Sequence, residues 1–141
     1  MKPFTLHERL INDTFEITRL RLSMALLMND SSFPWVILVP MSEGVRELHD
    51  LTAADRAILV EEIAAASRAI EKLCKPDKIN IGALGNIVPQ LHIHVIGRNK
   101  DDRAWPGPVW GSGAPEPYSK DALNCALASL KKAFQDELAN F

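Results

Sequence analysis

The sequence predicts an α+β fold: a five-stranded, mostly antiparallel sheet with one long central helix and a C-terminal helix. Three observations carry that reading. Short apolar runs with a period of two fall before residue 40 and after residue 78, an alanine-rich stretch with a helix-start signal lies between them, and turn residues separate the pieces. At 141 residues the chain is long enough to bury a core without covalent staples. We expect one domain, 1–141, with its core at about 14–100, a Pro/Gly-rich loop at 101–118 and a helix at 119–138.

Residues 5–12 (TLHERLIN) suit a short helical turn, with Thr5 as cap and Leu6 and Leu10 on one side. FEITRL and LSMALLMN follow as strands. In the second, Leu22, Met24, Leu26 and Met28 share a face, and Ser23, Ala25 and Leu27 share the other. Residues 29–34 (NDSSFP) are a turn signal. WVILV (35–39) is apolar throughout, too short for a helix, and reads as a central strand paired back through a hairpin. Thr52 opens the long helix, its hydroxyl taking a free N–H and Asp55 standing near the positive end. Leu59, Ile63 and Ile70 form one stripe along it, and Lys75-Pro76 ends it.

KINIGAL (78–84) is a fourth strand, with Ile79 and Ile81 facing one way and Asn80 and Gly82 the other. Gly85-Asn86 turns the chain into a fifth strand, Gln90 to Ile96. WPGPVWGSGAPEPY holds four prolines and three glycines, so little regular structure is expected there. Ser119 caps the last helix.

A formal net charge of −2 argues against a general grip on a nucleic acid polymer. It leaves a single nucleotide open as a ligand. No apolar run approaches membrane-span length, and MKPFTLHERLIND has no signal-peptide core, so a cytoplasmic location is expected. Cys74 and Cys125 have no metal or redox spacing and read as small buried apolar residues. His7 and His49 read as solvated, and Arg98 as a solvated strand-end residue. Trp105 and Trp110 are expected to pack the proline-rich segment onto the body or across a dimer.

The chemistry lies in Pro89-Gln90-Leu91-His92-Ile93-His94-Val95-Ile96-Gly97-Arg98. Alternation turns Leu91, Ile93 and Val95 into the core and sets Gln90, His92 and His94 together on the other face, about 7 Å apart. Two imidazoles and an amide make a poor strand face unless something uses them. One neutral imidazole can attack phosphorus while the next donates a hydrogen bond to a phosphate oxygen or leaving group. With an unperturbed pKa of roughly 6.5, imidazole is largely neutral at cell pH. Asn80, on the non-isoleucine face of the neighbouring strand, is placed to reach the same site. Gly82, Gly85 and Asn86 let loop backbone approach an anion.

These residues resemble the signature of the histidine-triad (HIT) superfamily: His-φ-His-φ-His-φ-φ, with φ apolar, after a glycine-containing loop and an Asn or Gln about ten residues upstream. Here the pattern reads Asn80-x-Gly82-x-x-Gly85-Asn86, then Gln90-φ-His92-φ-His94-φ-φ. LLMNDSSFPWVILVP resembles the family's base-and-ribose pocket and HDLTAADRAIL the start of its long helix, so the resemblance spans about 14–100. The Trp-Pro-x-Pro-Val-Trp segment is similar to a bacterial stand-alone subgroup.

The resemblance implies a HIT-like fold, a homodimer with two sheets joined across a two-fold axis, and nucleotidyl transfer to water without a metal or other cofactor. His92 would attack the α-phosphate, forming a covalent nucleotidyl-histidine. His94 would hydrogen-bond the phosphate or assist the leaving group, and Asn80 would hold a phosphate oxygen. Asp30 or Asn29 would meet the ribose, and Leu26, Leu27, Met28 and Trp35 would line the base pocket. Asn86 and Gln90 complete the implied nucleotide-binding set. AMP-containing dinucleoside polyphosphates, nucleoside phosphoramidates and acyl-adenylates are the implied substrates.

Gln90 departs from the pattern by standing where the first histidine would. Its backbone carbonyl can still orient His92, but an imidazole is lost. Asn86 and Ile87 also replace donors that usually serve the phosphate. Two other readings stand beside hydrolysis: a non-catalytic purine nucleotide-binding module, and a zinc site on His92 and His94 for which no third ligand is evident.

Overall fold

The computed structural model describes residues 3–141. Five strands, β1 (Thr14–Arg19), β2 (Ser23–Met28), β3 (Trp35–Pro40), β4 (Lys78–Gly82) and β5 (Ile93–Arg98), form one sheet in the order β1-β2-β3-β5-β4. Every neighbouring pair is antiparallel. Three α-helices accompany it: α1 (Glu8–Asp13), α2 (Ala53–Cys74) and α3 (Lys120–Glu137). Helix α2 carries the chain from β3 to the far edge, and β5 then returns between β3 and β4.

The expected helix starts are present at Thr52, whose side chain accepts from the Asp55 N–H at 3.1 Å, and at Ser119, which accepts from Ala122 N–H at 3.3 Å. Helix α1 differs from expectation. It starts at Glu8, and its cap is the His7 imidazole, which accepts from the Arg9 N–H at 3.0 Å, rather than Thr5. Lys75, in the left-handed region at φ 49°, closes α2. The fifth strand begins at Ile93 rather than Gln90, because the Leu91 N–H leaves the ladder for the Val45 carbonyl at 3.0 Å.

Both sheet faces are covered. Ala25, Leu27, Val36, Leu38, Ile93 and Val95 meet Leu59, Ala65, Ala66, Ile70 and Phe134 beneath α2 and α3. On the other face Met24, Leu26, Trp35, Ile37 and Ile96 are covered by Leu10, Phe33, Val88 and Val109 from α1 and the loops. The helix approaches β5 closely. A Cβ on Gly97 would stand 2.9 Å from both Ile70 Cγ2 and Pro34 Cγ, so this position admits no side chain without displacement.

The loop at 99–118 has little regular structure, as its composition predicts, but it is firmly tied. Asp30 accepts from the Glu116 N–H and the Arg103 guanidinium, and Asn29 Oδ1 accepts from the Tyr118 N–H. Arg98 is a correction to the sequence reading. It is 2% exposed rather than solvated, because its charge is met by Asp102 from this loop at 2.8 Å. Cys74 and Cys125 are also corrected: both are exposed, lining an open apolar cavity of about 360 Å³ between α2 and α3. Among the described residues no helix is long and apolar enough to cross a membrane.

Candidate active site

The two-residue repeat of β5 and the residues before it places Leu91, Ile93 and Val95 against the helices and His92 and His94 on the opposite face. His92 Nδ1 lies 2.7 Å from the backbone carbonyl of Gln90. A carbonyl only accepts, so this nitrogen carries a proton, and in the neutral tautomer Nε2 keeps a lone pair. His94 stands edge-on to His92, with ring centroids 5.0 Å apart. The Trp35 indole N–H donates to His94 Nδ1 at 2.9 Å, and Trp110 meets the same imidazole edge-on at 5.2 Å. Burial, with the neighbouring His92 adding to it, pushes the His94 pKa down to about 3.

The imidazoles open into a two-lobed cleft. The smaller lobe, about 280 Å³, is lined by His92, His94 and Asn86, and the larger, about 580 Å³, by Asn29, Asp30 and Arg103. Arg9, Asp13, Met28, Trp35 and Trp110 border both. Trp110 lies on Gly82, where an added Cβ would be 2.9 Å from its Cη2. The Trp110 indole nitrogen is buried without a hydrogen-bond partner. Among the described residues no group of three or more His, Cys, Asp or Glu converges as a metal site.

The residues expected from sequence divide into three sets. His92, His94, Asn86, Met28 and Trp35 come together on the smaller lobe. Asn29 and Asp30 line the larger lobe, with Asp30 almost wholly buried and held by Arg103 and by the Ser32 and Glu116 N–H groups. Those donors hold the Asp30 carboxyl below the usual carboxylate range against the opposing effect of burial.

The third set lies elsewhere. Leu27 faces α2 and α3, because the strand period turns it away from Met28. Leu26 is on the cleft side of the sheet but within its core. Asn80 pairs with Ile96 and does not line the cleft, its amide oxygen accepting from Arg98 at 2.8 Å instead. Gln90's side chain is taken up by the N-terminal segment. Its Oε1 accepts from the His7 N–H and its Nε2 donates to the Thr5 carbonyl, each at 2.9 Å.

Sequence reasoning missed Arg9, Asp13 and Arg103 as cleft residues, and favoured packing over base stacking for Trp110. The one local signal for Trp110 is Gly82, a strand residue lacking a side chain opposite His94 in the register.

The HIT domain family matches residues 9–101 of the chain. A histidine triad protein from Marinobacter aquaeolei VT8 is similar in structure, with 44% identity, a TM-score of 0.93, and coverage of 96% of this chain and 98% of that one. One from Bradyrhizobium japonicum gives 41% identity and a TM-score of 0.92, covering 94% and 99%. The bis(5'-nucleosyl)-tetraphosphatase [asymmetrical] of Schizosaccharomyces pombe is 32% identical over 89 residues, 60% of this chain and 49% of that enzyme, so the chain spans about half of that relative. On the match over residues 9–101, the chain belongs to the HIT domain family.

Proposed function

We propose that this protein hydrolyses AMP-containing nucleotides at the α-phosphate through a covalent intermediate on His92. The observation that carries the reading is the 2.7 Å contact of His92 Nδ1 with the Gln90 carbonyl, which leaves the Nε2 lone pair for phosphorus. Gln90 replaces the first histidine of the triad pattern without removing that carbonyl. The similarity to a tetraphosphatase supports a phosphoanhydride substrate. His94 and Asn86 then face the phosphate from the smaller lobe, Met28 and Trp35 border the base, and the ribose lies toward Asn29 and Asp30.

Residues 1–141 act in this reading as one HIT-like domain, in the cytoplasm, with the 101–118 loop closing the cleft through Trp110. β4 is an outer strand with Ile81 54% exposed, which supports pairing of two sheets as a homodimer across that edge. The deciding experiment is intact-protein mass spectrometry after brief mixing with diadenosine tetraphosphate. A transient adduct of one AMP on the wild type and none on His92→Asn is expected. AMP binding with neither adduct nor turnover would make the protein a nucleotide-binding module instead.

A further inference from the structure

We propose that Trp35 is a positioning residue that locks His94 as an Nε2–H donor, so that the site expels leaving groups that depart as oxyanions and disfavours amines. The inference rests on the hydrolase reading for its substrate half and on geometry alone for its tautomer half.

An indole N–H has no lone pair to offer, so the nitrogen that receives it must be unprotonated. Trp35 Nε1 lies 2.9 Å from His94 Nδ1. The ring is therefore neutral with its proton on Nε2, and protonating Nδ1 would set two N–H groups against each other. Trp35 is itself buried in β3, hydrogen-bonded into the same sheet, and flanked by Phe33 edge-on at 6.2 Å, so it has little room to turn away. The groups facing His94 offer an added proton little support. His92 is a like partner at 5.0 Å, Trp110 packs on one edge, and β4 contributes only Gly82 opposite it. Arg9 and Asp13 of α1 share the lobe but pair with each other at 3.5 Å. Burial acts in the same direction on the pKa, which falls to about 3.

The neighbouring imidazoles thus hold opposite tautomers, one fixed by an acceptor and one by a donor. His92 meets a carbonyl and presents a lone pair, while His94 meets an indole N–H and presents a proton. In the first step the His92 Nε2 lone pair forms the N–P bond as the P–O bond to the leaving group breaks. The departing oxygen keeps that electron pair. No proton moves, since His92 retains its Nδ1–H against Gln90 and becomes the cation, and the leaving oxyanion accepts a hydrogen bond from His94. Water then forms a new P–O bond, the N–P electron pair returns to His92, and the surplus proton leaves to solvent.

A polyphosphate or a carboxylate leaves in this way. An amine does not, because without a proton on its nitrogen it would depart as an amide anion. A neutral imidazole cannot supply that proton without becoming an anion. His94 is in this respect a hydrogen-bond donor and not a general acid.

Long-range nitrogen–proton NMR of His94 in the intact protein tests the lock directly. Expected is a protonated Nε2 and a bare Nδ1, unchanged from pH 5 to 8, with tautomers mixing or the ring beginning to titrate in Trp35→Phe. A wild-type His94 that carries its proton on Nδ1, or that charges near neutral pH, would overturn the proposal.

Single-turnover rates on the wild type test the leaving-group half. Adenosine 5'-phosphoramidate should react at least about 100-fold more slowly than diadenosine tetraphosphate, the range that a general acid contributes. The ratio should shrink in Trp35→Phe. Equal rates on both would refute the selectivity while leaving His92 chemistry intact. Cleavage of neither would remove the hydrolase reading and the selectivity with it, and the NMR result alone would then decide Trp35's role.

Discussion

The two ends of the segment from His92 to Arg98, which includes β5, carry buried polar side chains on the same face of the sheet and treat them in opposite ways. At the start, His92 and His94 each have one ring nitrogen fixed, by the Gln90 carbonyl and the Trp35 indole, and the other left for a ligand. At the end, Arg98 uses every nitrogen: Nε and one terminal nitrogen on Asp102, that same nitrogen on the Gly107 carbonyl, and the other on Asn80, all within 3.0 Å. Its guanidinium also lies over the rings of Phe33 and Trp105, at 5.7 and 5.8 Å. All three side chains are buried, so burial does not separate the two ends. Completeness of hydrogen bonding does. The saturated end ties the 99–118 loop to the sheet, and that loop delivers Trp110 to the unsaturated end.

The comparison breaks most severely at His92. His92→Asn should lower turnover at least about 10³-fold, as removal of a nucleophile does, while nucleotide affinity and the thermal midpoint stay near wild type. Steady-state kinetics with calorimetric AMP titration checks this. Loss of binding together with turnover would mean that the open end also holds the fold.

At the closed end the effect falls on stability. Asp102→Ala strands the Arg98 charge in the interior, and breaking such a pair costs about 3–5 kcal/mol, to be read from urea unfolding. The pH dependence has a fixed sign. Arg98, together with the Asn99, Ala104 and Trp105 N–H groups, holds the Asp102 carboxyl well below the usual carboxylate range. Its contribution is complete above the unfolded-state value and is lost as pH falls through the depressed native one. Asp102→Asn should therefore flatten the acid limb of the stability profile and leave the neutral-to-alkaline limb unchanged in shape.

Gly82→Ala tests the link between the ends. Its Cβ would stand 2.9 Å from the Trp110 ring, which packs edge-on to His94 and must shift to make room. Overpacking of this kind costs about 1–3 kcal/mol. We expect weakened nucleotide binding with the His92 adduct still forming. A variant with unchanged KM would remove Trp110 from the binding wall.

What the sequence made legible is local. The period of two assigned Leu91, Ile93 and Val95 to one face and the histidines to the other, and Thr52 and Ser119 declared their helices, because these properties are settled within a few residues. The same period already turned Leu27 away from Met28, and only the resemblance to a base pocket drew it to the cleft. Features set by distant partners stayed hidden. Arg98 reads as solvated until Asp102, Asn80 and Gly107 are brought around it, and the Trp35 donor lies 59 residues from the imidazole it meets. The strand face of Asn80 places it within reach of the site, and the resemblance alone assigns it a phosphate oxygen. What redirects it is the buried guanidinium on that same face, whose environment no local pattern reports.

Gln90 gives the smallest effect and the finest discrimination between the two ways a residue can serve the site. Its side chain joins the Thr5 carbonyl and the His7 N–H, so it fastens the segment leading into α1, while its backbone carbonyl alone receives His92. Gln90→Ala deletes the first function and spares the second. Two partly exposed hydrogen bonds are lost, so the stability change should be about 1 kcal/mol, and amide exchange should quicken in residues 5–8. Because the carbonyl remains, kcat should fall by less than about 10-fold, a loss worth under one and a half kcal/mol at the barrier. A fall comparable to that of His92→Asn would mean that the amide acts on the reacting atoms. The departure from three histidines would then be a change in the chemistry rather than in the anchoring of the N-terminal segment.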